Sequence, residues 1–481
     1  MRYKGTAYTP PTHRPAKAWM HRLLEASPSR VVIGVFLVLT ATFTILLMQP
    51  NASTSGKATP LVDALFTAVS AVSVTGLSTV DMGSHWSPLG EVIVVLAFQI
   101  GGIGALTLAS ILALVVTRKL GLRQRILAAS DTNLYGPNPR NISGDKQAIG
   151  FGDVGSLLKS VALSLIVIEA TLTVLISARL LAEGMSFSHA LWNGYYLAAS
   201  SFTNTGFVPF SDGLDTFATD PYMLAVLSVG VFLGSIGFPV IFALYRYVVK
   251  GGWKAHRRLG LHAKLTLITS LALVIFGWVL IGGLEWNNDA TLASLSAGDA
   301  IMSSGYTSIM TRSGGLGILD TANMNGSTLL IIDMLMFVGG GSASTAGGIK
   351  VTTLAVLFLA AYAEARGNED MQAFGRRIPV QVLRLAVSIV IWGTTLVLTA
   401  SVIILHITNA PLEHVLLEVI SAFGTCGLSV GLSETLPPAG KVVLAITMWA
   451  GRVGTVTLAA AVASTSRKTF YRFPEERPIV G

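Results

Sequence analysis

Charged side chains are scarce in this sequence. Asp, Glu, Lys and Arg together make up 12% of its 481 residues, and the mean hydropathy is +0.65. A soluble protein of this length needs a more charged surface, so the composition excludes a soluble protein and predicts a polytopic one embedded in the lipid bilayer. The net charge of +8 does not indicate a nucleic-acid partner, because the basic residues alternate with apolar segments and no nucleic-acid-binding motif occurs.

Cysteine is also scarce, and catalytic motifs are missing. Cys426 is the single cysteine, which excludes an intrachain disulfide and a cysteine metal cluster. The eight histidines have no metal-ligand spacing, and neither a nucleophile triad nor a Gly-x-Gly-x-x-Gly fingerprint occurs. A glycine-serine run does precede Lys350, but the Gly-Lys-Ser/Thr ending of a phosphate-binding loop is absent. We therefore expect no enzyme and no cofactor in this chain, and nucleotide control only through a separate protein.

Apolar stretches of membrane-spanning length, about 20 residues each, recur along the chain. Eight such spans are predicted, at 31–49, 88–116, 157–182, 222–249, 264–284, 327–365, 380–406 and 438–464. The sixth contains the run Gly339–Gly348, whose Gly and Ser content suits backbone buried inside the protein or beside a water-filled path. Lys and Arg concentrate in both tails and in alternate connections. We therefore expect a multi-pass plasma-membrane protein with cytoplasmic N- and C-termini.

The connections on the opposite side each contain a glycine in a similar setting, which indicates four repeats. A small residue precedes each glycine and a bulky apolar residue follows it. The aligned segments are Ser70–Leu77, Ser200–Phe207, Ile309–Leu316 and Ser421–Leu428. Short apolar stretches lead into them, for example Leu61–Val74, Leu191–Thr203 and Leu412–Gly424. These stretches are too short to span and are typical of re-entrant pore helices.

A second glycine block follows in the next span of every repeat. The blocks are Gly101–Gly104, Gly234–Gly237, Gly339–Ser342 and Gly451–Gly454. One glycine in a membrane helix is more often a packing residue than a functional one. Four recurrences of a two-part pattern favour a pore, in which extended backbone supplies carbonyl oxygens to a partly dehydrated monovalent cation.

We therefore predict an all-α integral membrane fold with four tandem span–pore-helix–filter–span repeats around one pore with fourfold pseudosymmetry. The expected selectivity-filter residues are Val74, Thr75, Gly76, Asn204, Thr205, Gly206, Ser313, Gly314, Gly315, Thr425, Cys426 and Gly427. The expected divisions are a cytoplasmic N-terminal tail (1–30), repeat 1 (31–117), a linker (118–156), repeat 2 (157–250), a linker (251–263), repeat 3 with a broken second span (264–366), a linker (367–379), repeat 4 (380–464) and a C-terminal tail (465–481).

This arrangement resembles the Trk/Ktr/HKT superfamily of potassium transporters. The resemblance covers nearly the whole chain beyond the N-terminal tail and is most specific at the filters, at Gly451-Arg452-Val453-Gly454 and at the broken span ending in Lys350. The absence of two extra spans before the first repeat makes the chain more similar to the KtrB-type ion-translocating subunit than to TrkH. The family's third filter reads Arg-Thr-Ala-Gly-Phe, from which Arg312-Ser313-Gly314-Gly315-Leu316 departs.

The resemblance implies a K⁺ uptake subunit with channel-like conduction. A glycine in all four filters accompanies K⁺ preference in the family, with Na⁺ as a co-ion or activator, and K⁺ would bind at the filter only. The resemblance also implies a gate, an intramembrane loop below the filter, whose alternative is a passive kink. The implied gate residues are Gly339, Gly340, Gly341, Ser342, Ala343, Ser344, Thr345, Lys350 and Arg452. The implied partners are a second copy in a homodimer and a cytosolic, KtrA-like nucleotide-binding regulatory ring.

Three alternatives remain at this point. Arg452 could form a structural salt bridge with Asp333 or Glu418 instead of lying at the pore. The chain could be a coupled secondary transporter for another cation or small solute, although its repeats are parallel in topology and not inverted. A membrane-embedded enzyme is disfavoured because intramembrane catalytic groups are nearly absent.

Overall fold

The computed structural model describes residues 28–104, 151–250, 259–342 and 344–464. Ala343 of the predicted gate, the C-terminal tail, and most of the N-terminal tail and of the first two predicted linkers lie outside these residues. The third predicted linker contains an antiparallel hairpin of β1 (Gln372–Ala373) and β2 (Arg376–Arg377), in which Gln372 pairs with Arg377 and Ala373 with Arg376.

Helices account for nearly all the other regular structure in the described residues. In chain order they are α1 (Pro28–Leu47), α2 (Leu61–Ser73), α3 (Pro88–Ile103), α4 (Phe151–Ala182), α5 (Phe187–Thr203), α6 (Pro221–Ile236), α7 (Phe238–Lys250), α8 (Leu261–Glu285), α9 (Ala297–Met310), α10 (Gly326–Phe337), α11 (Val351–Ala365), α12 (Val380–Ile407), α13 (Leu412–Gly424), α14 (Leu432–Thr435) and α15 (Pro438–Ser464). Short 3₁₀ turns occur at Pro50–Ala52, Asp215–Phe217 and Thr321–Asn323.

Local sequence explains where several helices begin. Proline is the first residue of α3, α6 and α15, a position where its missing N–H costs nothing. The side chain of Ser87 caps α3 by accepting from the Gly90 amide, and Asp220 caps α6 in the same way. The helices α4 and α8 begin earlier than predicted, inside the expected linkers, because a helix can continue beyond the apolar stretch that crosses the bilayer.

The short helices α2, α5, α9 and α13 form the centre of the molecule. α2, α5 and α13 each pack between the helices that precede and follow them in the chain, whereas α9 packs against the helix that precedes it, α8. Each also contacts a helix from another predicted repeat: α2 contacts α15, α5 contacts α3, α9 contacts α6 and α13 contacts α10. Their side chains are largely buried, whereas long helices such as α8 and α12 expose apolar residues, for example Val279 and Ile391. This outward apolar surface suits a lipid environment.

Among the described residues, three helical stretches are by themselves long and apolar enough to span a membrane: Ala162–Ala182 within α4, α8 and α12. The predicted span 222–249 is not one straight helix, because α6 and α7 meet at 105°. Gly237 lies between them, and its angles, φ +86° and ψ 153°, are outside the helical region. Gly104, the residue after α3, has nearly the same angles, φ +88° and ψ 141°.

The sixth predicted span is interrupted where the glycine-serine run occurs. α10 ends at Phe337 and α11 begins at Val351, so no single helix runs through the sixth predicted span. In the fourth repeat, by comparison, α15 continues through Gly451 and Gly454 without a break. The same glycine pattern therefore ends a helix in three repeats and is tolerated within one in the last.

Candidate selectivity filter and gate

The four predicted filter segments share one backbone conformation. In each segment, two residues with positive φ lie on either side of one residue whose φ is negative. The first is Val74, Asn204, Ser313 or Thr425, with φ between 46° and 72°, and the second is Gly76, Gly206, Gly315 or Gly427, with φ between 67° and 94°. Among the described non-glycine residues, only Phe374 otherwise has positive φ. Such strain in β-branched residues such as Val74 and Thr425 persists only where the surroundings enforce it.

The third segment follows this pattern although its sequence diverges most. Ser313 and Gly315 occupy the two left-handed positions. Isoleucine replaces the serine that starts the other segments, and the amides of Gly314 and Gly315 instead donate to the Met310 carbonyl, at 2.8 and 3.3 Å. A different set of hydrogen bonds therefore produces a similar path of the backbone.

The segments meet through their glycines in a closed ring. A Cβ added to any of the four would contact the carbonyl oxygen that precedes the glycine of the next segment. The distances would be 1.9 Å from Gly76 to Thr205, 3.0 Å from Gly206 to Gly314, 2.3 Å from Gly315 to Cys426 and 2.5 Å from Gly427 to Thr75. These distances are shorter than a side chain tolerates, so glycine is needed for each segment to lie this close to a carbonyl of the next.

Serine side chains support three of the segments from below. The carbonyl of Ser70 accepts from the Thr75 amide at 2.8 Å, and its hydroxyl accepts from the Gly76 amide at 3.1 Å. Ser421 does the same for Cys426 and Gly427, at 2.9 and 3.1 Å. In the second segment the Ser200 carbonyl accepts in the same way from the Thr205 amide of its own segment, at 2.8 Å, while its hydroxyl donates to the Phe207 carbonyl.

Side-chain hydrogen bonds connect the third and fourth segments. The Ser313 hydroxyl donates to the Thr425 carbonyl at 2.6 Å. The Cys426 thiol, expected only to be small, donates to the Met310 carbonyl at 3.3 Å. The departure of the third segment from the family pattern is thus matched by direct contacts with its neighbour.

The second glycine blocks pack against the ends of the short helices. A Cβ on Gly101 would lie 2.2 Å from the Val72 carbonyl oxygen, and one on Gly234 would lie 2.0 Å from that of Phe202. Gly451 has the same relation to Phe423, again at 2.0 Å. The three carbonyls occupy equivalent positions, two residues before the first left-handed residue. The two-part sequence pattern therefore reflects one close approach of helix to helix in three repeats.

The segment between α10 and α11 lies directly against these helix ends. Val338 and Ile349 form a parallel bridge that closes it, and the Gly341 amide donates to the Ser235 carbonyl at 2.7 Å. Thr345 donates from its hydroxyl to the Phe202 carbonyl at 3.3 Å and from its amide to the Gly234 carbonyl at 3.4 Å. The predicted gate residues are therefore brought next to the predicted filter.

Two buried arginines hold this segment. Arg452 donates to the carbonyl of Thr345 and, at 2.9 Å, to that of Gly101. Arg312 of the third segment donates to the Gly339 carbonyl at 3.0 Å. The role of Arg312 was not predicted, although a charge within an apolar filter segment was a signal. Lys350 donates within the segment, to Ala346 at 2.6 Å, and Glu418, an alternative partner of Arg452, accepts from Ser429 and Ser433.

Known proteins resemble the chain over most of its length. Residues 31–471 match the family described as "TrkH: Cation transport protein". The chain is 33% identical over 463 residues to the Ktr system potassium uptake protein D of Bacillus subtilis, covering 96% of this chain and 99% of that one. It is 32% identical over 452 residues to the Ktr system potassium uptake protein B of Vibrio alginolyticus, covering 94% of each.

Two further comparisons agree. The chain is 30% identical over 467 residues to the potassium/sodium uptake protein NtpJ of Enterococcus hirae, covering 95% of this chain and 97% of that one. The crystal structure of the potassium transporter TrkH from Vibrio parahaemolyticus has the same fold, with a TM-score of 0.65 and 16% identity over 91% of this chain and 85% of that one. The chain therefore belongs to the TrkH family of cation transport proteins, which are membrane transporters and not enzymes.

Proposed function

We propose that this protein is the potassium-translocating membrane subunit of a K⁺ uptake system. The observation that carries the proposal is the closed relation of four glycines to four neighbouring carbonyls, those of Thr75, Thr205, Gly314 and Cys426. Relatives named as potassium uptake proteins support K⁺ as the transported ion. The name of NtpJ, which includes sodium, supports Na⁺ as a second permeant or activating ion.

The proposed filter selects K⁺ by replacing part of its hydration shell. In this proposal, four backbone carbonyls supply oxygens without side chains in the way. α2, α5, α9 and α13 each end within a few residues of the ring, so their C-terminal partial negative charges also favour a cation there. In this proposal the four repeats surround one pore with fourfold pseudosymmetry, which the packing of each short helix on the preceding repeat supports.

The proposed gate is the segment from Gly339 to Lys350. Arg452 would act as its latch, a side chain whose hydrogen bonds to the Thr345 and Gly101 carbonyls hold the segment in the closed position. The proposal is supported by the hydrogen bonds of Thr345 to the Phe202 and Gly234 carbonyls and of the buried Arg452 to the Gly101 carbonyl. Cations would pass only when these hydrogen bonds break and the segment moves aside. A free-energy difference of a few kcal/mol between two positions is enough for regulation by a partner.

We further propose that the protein works as a homodimer on a cytosolic nucleotide-binding ring, with both termini cytoplasmic. The Ktr system names of its relatives support a membrane subunit that acts with other components. The absence of a nucleotide-binding motif from the sequence is consistent with control from a separate chain.

Uptake measurements in cells that lack their own K⁺ uptake systems test the proposed function. Expression of the protein should restore growth at low external K⁺ and should accelerate uptake of K⁺ and Rb⁺ more than that of Na⁺. The rival, a coupled secondary transporter for another solute, requires no such ion preference. Equal uptake of K⁺ and Na⁺, or none of either in well-expressed protein, would contradict the proposal.

A further inference from the structure

The helix α13 carries two anchors for the fourth filter segment on one face. Glu418 and Ser421 are three residues apart and therefore lie on the same side of the helix, and both are fully buried. Ser421 holds the amides of Cys426 and Gly427. Glu418 contacts the residues that follow the segment, so the two side chains form hydrogen bonds with the backbone on either side of Leu428.

The Glu418 carboxylate is surrounded by donors from one stretch of chain, residues 429–433. The Ser429 hydroxyl donates to its two oxygens at 2.8 and 3.0 Å, and the amides of Val430 and Ser433 donate at 3.4 and 3.0 Å. The Ser433 hydroxyl also donates to it. No salt bridge among the described residues includes Glu418, so these hydrogen bonds compensate the cost of its burial.

Among the four aligned segments, only the fourth has a carboxylate at this position. At the equivalent position, three residues before the start of the aligned segment, the other repeats have Thr67, Leu197 and Tyr306. A buried carboxylate is costly to keep unless all its acceptor sites are used. In the fourth repeat both oxygens accept hydrogen bonds, and every donor lies within six residues of Gly427. A network of this kind rigidifies the backbone to which it is bonded.

We propose that Glu418 is a positioning residue for ion selectivity. By fixing residues 429–433, it holds the Cys426 carbonyl and Gly427 at the distance from the other segments that K⁺ requires. The inference rests on the proposed function of the carbonyl ring. Glu418 acts through the backbone and does not contact the ion.

The substitution Glu418→Gln tests this role with nearly unchanged volume. It replaces one acceptor oxygen with an NH₂ group that faces donors. We expect the ratio of K⁺ to Na⁺ uptake in proteoliposomes to fall by about three- to tenfold. A backbone amide that faces the new NH₂ group loses its acceptor, and a serine hydroxyl there must accept a hydrogen bond instead of donating one. Ser429→Ala and Ser433→Ala each remove one hydroxyl donor and should lower the ratio by smaller amounts.

Glu285 offers a matched control. It is also fully buried and accepts hydrogen bonds from Asn288, Thr291 and the Asn325 amide at 2.6, 2.7 and 2.9 Å. Its donors lie at least ten residues along the chain from Gly315, whereas those of Glu418 lie within six residues of Gly427. Glu285→Gln should therefore lower the melting temperature of the purified protein without changing the K⁺ to Na⁺ ratio.

The outcomes separate this inference from the proposed function. An unchanged ratio in a folded Glu418→Gln protein overturns the positioning role, as does an equal fall in the Glu285→Gln control. If Glu418→Gln does not fold, unchanged ratios in both serine variants overturn it. If Gly76→Ser alters selectivity and Glu418→Gln does not, the positioning role of Glu418 is wrong but the proposed carbonyl ring is supported. If neither variant alters selectivity, the proposed carbonyl ring is contradicted as well.

Discussion

Gly76 faces the carbonyl oxygen of Thr205 across the boundary between the first and second proposed filter segments, and a Cβ on Gly76 would lie only 1.9 Å from that oxygen. Gly76 also has φ +92°, a conformation that other residues rarely adopt. Both constraints act on one backbone position, so the first segment cannot accept a side chain without moving a carbonyl of the second.

Gly76→Ser should therefore lower the discrimination of K⁺ over Na⁺ while the protein remains folded. The added Cβ and hydroxyl must displace the Thr205 carbonyl or turn the first segment, and either change alters the spacing of the oxygens around the ion. The ratio of K⁺ to Na⁺ uptake measures the effect. Gly34→Ser is the control, because a Cβ there meets no described neighbour within 4 Å. Unchanged selectivity in a normally expressed Gly76→Ser protein would count against the filter assignment.

Gly234→Ala should destabilise the protein by about 1–3 kcal/mol, since its Cβ would be forced against the Phe202 carbonyl at 2.0 Å. Gly283→Ala in α8 meets no described neighbour within 4 Å and should stabilise the helix by about 0.5–1 kcal/mol. Thermal unfolding of the two purified variants gives opposite expected shifts in melting temperature. Shifts of the same sign would show that the close approach of α6 to α5 is not what requires glycine.

Arg452→Gln should raise the basal cation flux by about tenfold or more, because it weakens charge-assisted hydrogen bonds to the carbonyls of Thr345 and Gly101. Arg452→Lys should give an intermediate flux, since one ammonium group cannot span both carbonyls as a guanidinium does. The control is Arg179→Gln, which removes ion pairs with Asp220 and Glu183. Flux through liposomes is the measurement, and a wild-type rate in Arg452→Gln would rule out a latch.

Removal of residues Ser342 to Ala346 should raise ion flux and weaken its regulation. The deletion eliminates Thr345, whose hydroxyl and amide bond the carbonyls of Phe202 and Gly234. A milder variant, Thr345→Val, loses the hydroxyl bond alone and should raise flux less. Thr399→Val is its control, because the Thr399 hydroxyl donates within its own helix. Loss of all flux in a folded deletion protein would mean that the segment is structural and not a gate.

The isolated chain should conduct with poor control and should need a soluble subunit for full activity. No recognisable nucleotide-binding motif occurs in its sequence, yet an unregulated cation pore would dissipate the membrane potential. Affinity purification of the tagged protein from native membranes should recover a nucleotide-binding soluble protein. If the purified chain alone gives full, nucleotide-sensitive K⁺ flux in liposomes, the partner hypothesis is wrong.

Much of this organisation could be predicted from the sequence because it depends on local properties. Apolar length marks the spans, and a glycine-serine run cannot remain a lipid-facing helix, so the interruption between α10 and α11 was predictable. The short helices α2 and α13 begin and end almost where their apolar stretches do. The recurrence of the glycines also pointed to a common role without any knowledge of their neighbours.

The bend at Gly237 could not be predicted in the same way. The sequence Gly451-Arg452-Val453-Gly454 continues as helix, whereas Gly234-Ser235-Ile236-Gly237 ends one. Glycine permits both outcomes, and the surrounding packing selects between them.

The sequence determined by itself that this chain is a membrane protein with four related glycine segments, because hydropathy and glycine content act residue by residue. Only the tertiary structure decided which carbonyl each glycine faces, that the divergent third segment follows the other three, and that Arg312 and Glu418 hold backbone near the ring. Most of these relations join groups far apart in the chain, as the hydrogen bond between Arg452 and Gly101 also does. Their energies depend on distances of about 3 Å that exist only after the helices have packed.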